Sequence, residues 1–212
     1  MKSKNASKFT LVQQYIARSI PLSILFASII LAPCPAQSAP QIDSVPPAWS
    51  QFNFRSFKYP VDGDCLEFGL KRSVKVKNGE YKTAQGDEFL IENVVYGDLT
   101  GDGQAEAVIS AGCMPSHAVN PGAFRGIVYI YALRNGQPHL LTSAYTYKLP
   151  SGGDSGLFDL QGVKIEHGLL AIENLAGDCR ACVNKIVKRM FRVDGSRLVL
   201  VEINSRPYKW QG

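Results

Sequence analysis

Four Xaa-Gly pairs, Asn78-Gly79, Asn135-Gly136, His167-Gly168 and Asp194-Gly195, fall where short runs of alternating apolar and polar residues meet. A two-residue hairpin turn needs positive φ, which Gly adopts freely and Asn or Asp tolerates, so these pairs predict tight turns between antiparallel strands. The flanking runs agree. "GIVYIYALR" and "HLLTSAYTY" flank Asn135-Gly136, "FDLQGVKIE" and "LLAIENL" flank His167-Gly168, and "KIVKRMFRV" and "RLVLVEI" flank Asp194-Gly195. Alternation places every second side chain on one face of a sheet. Beyond the N-terminal region, no window of about twelve residues carries a helix-period apolar stripe. The expectation is an all-β fold of antiparallel hairpins.

A weak internal correspondence orders these hairpins. Residues 108–143 can be laid against 172–202: each begins with a strand ending in Ala-Gly, then a nearby Cys, a loop and a Gly-turned hairpin. Each has one more strand in front, starting near Phe89 and near Leu157. Two four-stranded meanders result, about 89–147 and 157–204.

The first 38 residues are of another kind. Lys2, Lys4, Lys8 and Arg18 occur without an acid, then "IPLSILFASIILA" (20–32), then small residues before Pro40. A basic start, a short apolar core and a small-residue site predict a signal peptide, residues 1–38, with cleavage within 36–39. The apolar run is shorter than the roughly 20 residues a spanning helix needs. Pro33 before Cys34 departs from a lipoprotein signal. The mature chain is expected in the periplasm or outside the cell, with no transmembrane anchor after cleavage. Export changes the charge argument too. The chain carries +5, and the leader holds four of the positive charges, leaving +1. Nucleic acid is therefore not an expected partner. Residues 39–64 read as a polar, Pro-containing lead, and 65–212 as a single β domain.

Four cysteines follow the leader: Cys65, Cys113, Cys179 and Cys182. An even number in an oxidising compartment predicts two disulfides. "CRAC" (179–182) precedes a strand-like run, whereas a redox pair needs a helix to lower the thiol pKa. Two connectivities stay open. Short spacing within 179–182 favours Cys65–Cys113 with Cys179–Cys182, while the internal correspondence points to Cys113 with Cys179.

"VVYGDLTGDGQAEAVIS" (94–110) joins the first two strands of the first meander through an acidic loop. A hard cation seeks six to eight oxygens, and a tight loop can turn alternate side chains inward. Asp98, Thr100 and Asp102 would offer side-chain oxygens, Gln104 its backbone carbonyl, and Glu106 would close the set around Gly103. A metal-free turn, with Asp98 and Asp102 binding backbone N–H groups, uses the same residues. The stretch resembles the calcium loop of FG-GAP and VCBS-type repeats, found in integrin-like β-propeller blades. Asp98, Asp102, Gly103 and Glu106 match that pattern, and Thr100 stands where Asp or Asn is usual. The resemblance implies calcium as the cofactor and a blade-like shape for each meander. Two meanders do not make a closed propeller, which takes four or more blades.

Catalytic patterns are thin. "GGDSG" (152–156) resembles the surroundings of the nucleophile in trypsin-like proteases, but His117 lies only 38 residues before Ser155. That leaves too little chain for the barrels of that fold. His117, His139 and His167 lack metal-ligand spacing. The long loop 112–126 is a candidate contact surface. Together these features predict a non-enzymatic binding or interaction module for a protein or glycan ligand, with a secreted hydrolase as the alternative.

Overall fold

The computed structural model describes residues 44–116, 124–150, 157–177 and 182–209, with the backbone alone for 157–161. All of them belong to one unit, Gln37–Gly212. Among the described residues eleven strands form: β1 (Lys58–Pro60), β2 (Ser73–Lys75), β3 (Glu80–Lys82), β4 (Glu88–Gly97), β5 (Glu106–Met114), β6 (Arg125–Arg134), β7 (Gln137–Tyr145), β8 (Leu157–Glu166), β9 (Leu169–Gly177), β10 (Val183–Asp194) and β11 (Arg197–Pro207). One short helix, α1 (Gly63–Glu67), lies between β1 and β2. The fold is antiparallel β, in sheets ordered β3-β4-β5-β6-β7, β11-β10-β9-β8 and β1-β2. β4 to β7 and β8 to β11 are the two expected meanders, and β3 adds a fifth strand to the first.

The turns obey their residues. Asn78, Asn135 and His167 have φ of 55°, 52° and 53°, and the following Gly residues are positive as well. Both central residues positive is the type I′ geometry that matches strand twist. The fourth turn differs: Asp194 pairs with Arg197, so Gly195-Ser196 forms the turn. Gly195, at φ 60°, takes the first central position, the place of Gly in a type II′ turn.

The centre of the five-stranded sheet is buried on both faces, and β5 ("EAVISAGCM") is buried from Glu106 to Cys113. On one face Phe89, Ile91, Ile109, Ile127, Tyr129 and Tyr131 form a core with Trp49, Phe54, Tyr59, Val61, Val74 and Val76. On the other, Val95, Val108, Val128 and Ile130 meet Val163, Ile165, Leu170, Ile172 and Phe191 of the second meander. A bulge in β4 between Ile91 and Asn93 makes this double burial work. It adds one residue, so Phe89 and Ile91 share the first face with Val94 and Tyr96, while Val95 turns to the other.

Residues 47–61 overlap the stretch read as a polar lead, yet they supply Trp49, Phe54, Tyr59 and Val61 to the first core. Tyrosine hydroxyls tie this layer together and onto the sheet. Tyr129 donates to the Pro60 carbonyl at 2.8 Å and Tyr59 to the Phe54 carbonyl at 2.7 Å. Tyr145 Oη accepts from the Cys65 N–H at 3.1 Å. Each buried phenol thereby keeps a partner while its ring fills the core. Burial pushes the Tyr59 and Tyr129 hydroxyls well above their ordinary pKa.

Cys65 and Cys113 form a disulfide with Cα atoms 5.8 Å apart, which ties α1 to β5. That rules out Cys113 with Cys179. Cys182 is also disulfide-bonded; Cys179 lies outside the described residues. No described helix is long and apolar enough to cross a membrane.

Candidate functional site

The acidic loop spans the gap between β4 and β5, and all five expected residues are described. Asp98 follows β4 directly. Its Oδ1 accepts from the Gly101 N–H at 2.6 Å and its Oδ2 from the Gly103 N–H at 2.9 Å. Gly101 and Gly103 have φ of 78° and 82°, a conformation that lets the chain fold back over the carboxylate. Asp102 is exposed and its Oδ1 accepts from the Gln104 N–H at 2.8 Å. Gln104 is exposed. The loop thus closes on itself through carboxylate–amide bonds, each charge-assisted.

Glu106 opens β5 and is 2% exposed. Its Oε2 accepts from the Leu99 N–H at 2.8 Å, and Thr100 donates its hydroxyl to Oε1 at 3.4 Å. Burial pushes the Glu106 carboxyl above the usual range; the Asp102 and Asp98 charges push it the same way, against the pull of the Leu99 and Thr100 bonds. Three carboxylates therefore share one electrostatic neighbourhood, with hard oxygen atoms as the only donors. That donor set suits a hard cation, although the carboxylates are turned onto the loop's own N–H groups. Among the described residues, no three His, Cys, Asp or Glu side chains gather closely enough to hold a metal.

The loop has neighbours that its local sequence does not announce. Trp49, from the N-terminal layer, donates its Nε1–H to the Ala105 carbonyl at 2.7 Å. A Cβ built on Gly168, in the β8–β9 turn, would stand 3.5 Å from the Asp98 carbonyl. The two meanders therefore bring their turns to the same end of the fold. There an open cleft of about 520 Å³ is lined by Thr100, Arg134, His139, Leu141, Asp194 and Ser196, with Leu140 and Val193 beside them. Polar groups from three hairpins surround a small aliphatic floor.

Other expected features divide. His139 sits on β7 and lines this cleft, and His167 occupies a type I′ turn. His117, Ser155 and the middle of the 112–126 loop, residues 117–123, lie outside the described residues. The cleft was missed in the sequence because Arg134, His139 and Asp194 are scattered hairpin-end residues with no common spacing.

No protein-family model, no characterised relative and no solved structure matches the chain.

Proposed function

We propose that this protein is an exported, non-enzymatic binding module that takes a protein or glycan ligand at the end formed by its hairpin turns. The convergence of the 98–105 loop with the β6–β7 and β10–β11 hairpins on one cleft carries this reading. Arg134, His139, Asp194 and Ser196 offer both donors and acceptors there, and Leu140, Leu141 and Val193 offer apolar contact. Such a mixed lining suits hydroxyl-rich or peptide ligands rather than a polyanion.

The loop beside the cleft gives that end its rigidity. In the calcium reading, Asp98, Asp102 and Glu106 would hold the ion with help from the Thr100 hydroxyl and the Gln104 carbonyl. The cation would offset the mutual repulsion of three carboxylates, one of them buried. Its contribution is structural: it fixes the loop that forms one wall of the cleft.

The test is amide chemical-shift mapping against a panel of neutral and acidic oligosaccharides and short peptides. Shifts clustered at residues 98–105, 134–141 and 193–196 support the assignment. Shifts confined to another surface overturn it. Ester, peptide or glycoside substrates are incubated in parallel. Turnover that disappears in His139→Ala would replace the binding module with the hydrolase.

A further inference from the structure

β11 closes one edge of the four-stranded sheet and, among the described residues, pairs only with β10. Every residue from Val201 to Pro207 is exposed. Val201 at 53% and Ile203 at 40% are two of four exposed large apolar side chains among the described residues. An open edge of this length is a template for another strand. Solitary edges are commonly blunted by charge, but here the charges have a self-complementary order. Glu202, Asn204 and Arg206 oppose Met190, Lys188 and Ile186 of β10, so all three stand on one face of the sheet. Asn204 donates to Glu202 Oε1 at 2.6 Å, and Arg206 reaches Glu173 of β9 at 3.4 Å.

We propose that β11 pairs antiparallel with β11 of a second copy about a two-fold axis at Asn204, joining two four-stranded sheets into one of eight. This axis places Glu202 opposite Arg206 of the second copy, and Arg206 opposite its Glu202. Opposite charges directly across a pair of strands attract. An axis at Glu202 or at Arg206 would set like charges face to face, and one at Ile203 or at Ser205 would leave both without an opposite charge across the strands. The charge order thus selects one register from the five. It also places Pro207, which has no N–H to give, beside the bulged Val201 at the end of the new ladder. The contact is isologous, so it stops at two copies instead of growing into a fibre.

The experiment is sedimentation equilibrium of the purified protein through the micromolar range, for wild type, Glu202→Arg, Arg206→Glu and an equimolar mixture of the two variants. Wild type should dimerise reversibly. Each variant alone faces like charge at both cross-strand positions and should weaken the dimer by about tenfold or more. In the mixture, the arginine introduced in one variant meets the glutamate introduced in the other. The unchanged Arg206 of the first variant meets the unchanged Glu202 of the second, so a heterodimer of near wild-type affinity should return. Circular dichroism of each variant, expected to match wild type, separates lost pairing from lost folding. A wild type that stays monomeric overturns the proposal, whether the edge is bare or reserved for another protein. A dimer indifferent to the single changes, or a mixture that does not recover, overturns it equally.

Discussion

The Trp49 indole N–H donates a 2.7 Å hydrogen bond to the carbonyl of Ala105, linking a residue of the N-terminal layer to the end of the acidic loop. Trp49 is 1% exposed and packs against Phe52, Phe54 and Tyr96. It therefore joins the first core to the wall of the cleft. Trp49→Phe should keep most of the packing and lose the bond, costing about 1 kcal/mol. Trp49→Ala should cost about 3–5 kcal/mol. Urea unfolding measures both. Hydrogen exchange at Gly101, Gly103 and Gln104 should quicken in Trp49→Phe, and unchanged rates would show that the bond does not support the loop.

Glu106 gives the protein a predictable pH dependence. Its folded pKa is raised above the unfolded value, chiefly by burial. The native state then binds more protons than the unfolded one between those two values. The stability Glu106 contributes is full below the unfolded value, near ~4.3, and falls as pH rises through the folded value. Glu106→Gln carries no titrating group, so its stability in chelator should lack this decline. The measurement is the wild-type minus Glu106→Gln difference across pH; a difference independent of pH contradicts the assignment.

Calcium should reverse the sign of that effect at neutral pH. An ion bound only by the folded state at 100 times its dissociation constant stabilises by about 2.7 kcal/mol. Asp98→Ala should abolish the increment. It should also lower stability in chelator, because the Gly101 and Gly103 N–H groups lose their acceptors. Thr100→Asp adds an anion and should enlarge the increment. Thermal midpoints that coincide in chelator and in millimolar calcium, for both wild type and Thr100→Asp, would leave the loop as a metal-free turn.

Arg189 is fully buried in β10 and organises the link between the meanders. Its guanidinium donates to the Thr146 carbonyl at 2.8 Å, the Leu149 carbonyl at 3.1 Å and Asn174 Oδ1 at 2.6 Å. Arg189→Met fills similar space but strips these acceptors of their donor, and should cost about 3–5 kcal/mol. Arg189→Lys keeps the charge without the planar fork and should fall between wild type and Met. Denaturant midpoints for the three proteins check the order.

The Cys65–Cys113 bridge spans 48 residues of sequence. In the chain-entropy model a loop of that length stabilises by about 4 kcal/mol. Cys65→Ser with Cys113→Ser should lower the unfolding midpoint accordingly. Thiol titration of denatured, unreduced wild-type protein should find neither Cys65 nor Cys113 free.

Local chemistry made much of this legible in advance. Asn-Gly and His-Gly pairs specify type I′ turns wherever they fall, and alternation specifies which side chains share a face, so both meanders could be read from the sequence. The acidic loop was equally local: Asp98, Gly101 and Gly103 form a turn from adjacent residues alone. Only the tertiary structure decided what those meanders pack against. Pro47–Val61 falls in the stretch read as a polar lead, yet Trp49, Phe54 and Tyr59, five residues apart and so on neither a strand nor a helix period, cover one face of the first sheet. One bulge in β4 decided which apolar residues reached which core, and a single inserted residue leaves no periodic trace. The cleft arose the same way. Arg134 and His139 belong to the β6–β7 hairpin and Asp194 to the β10–β11 hairpin, and stacking two sheets on a shared apolar face is what brought them to one place.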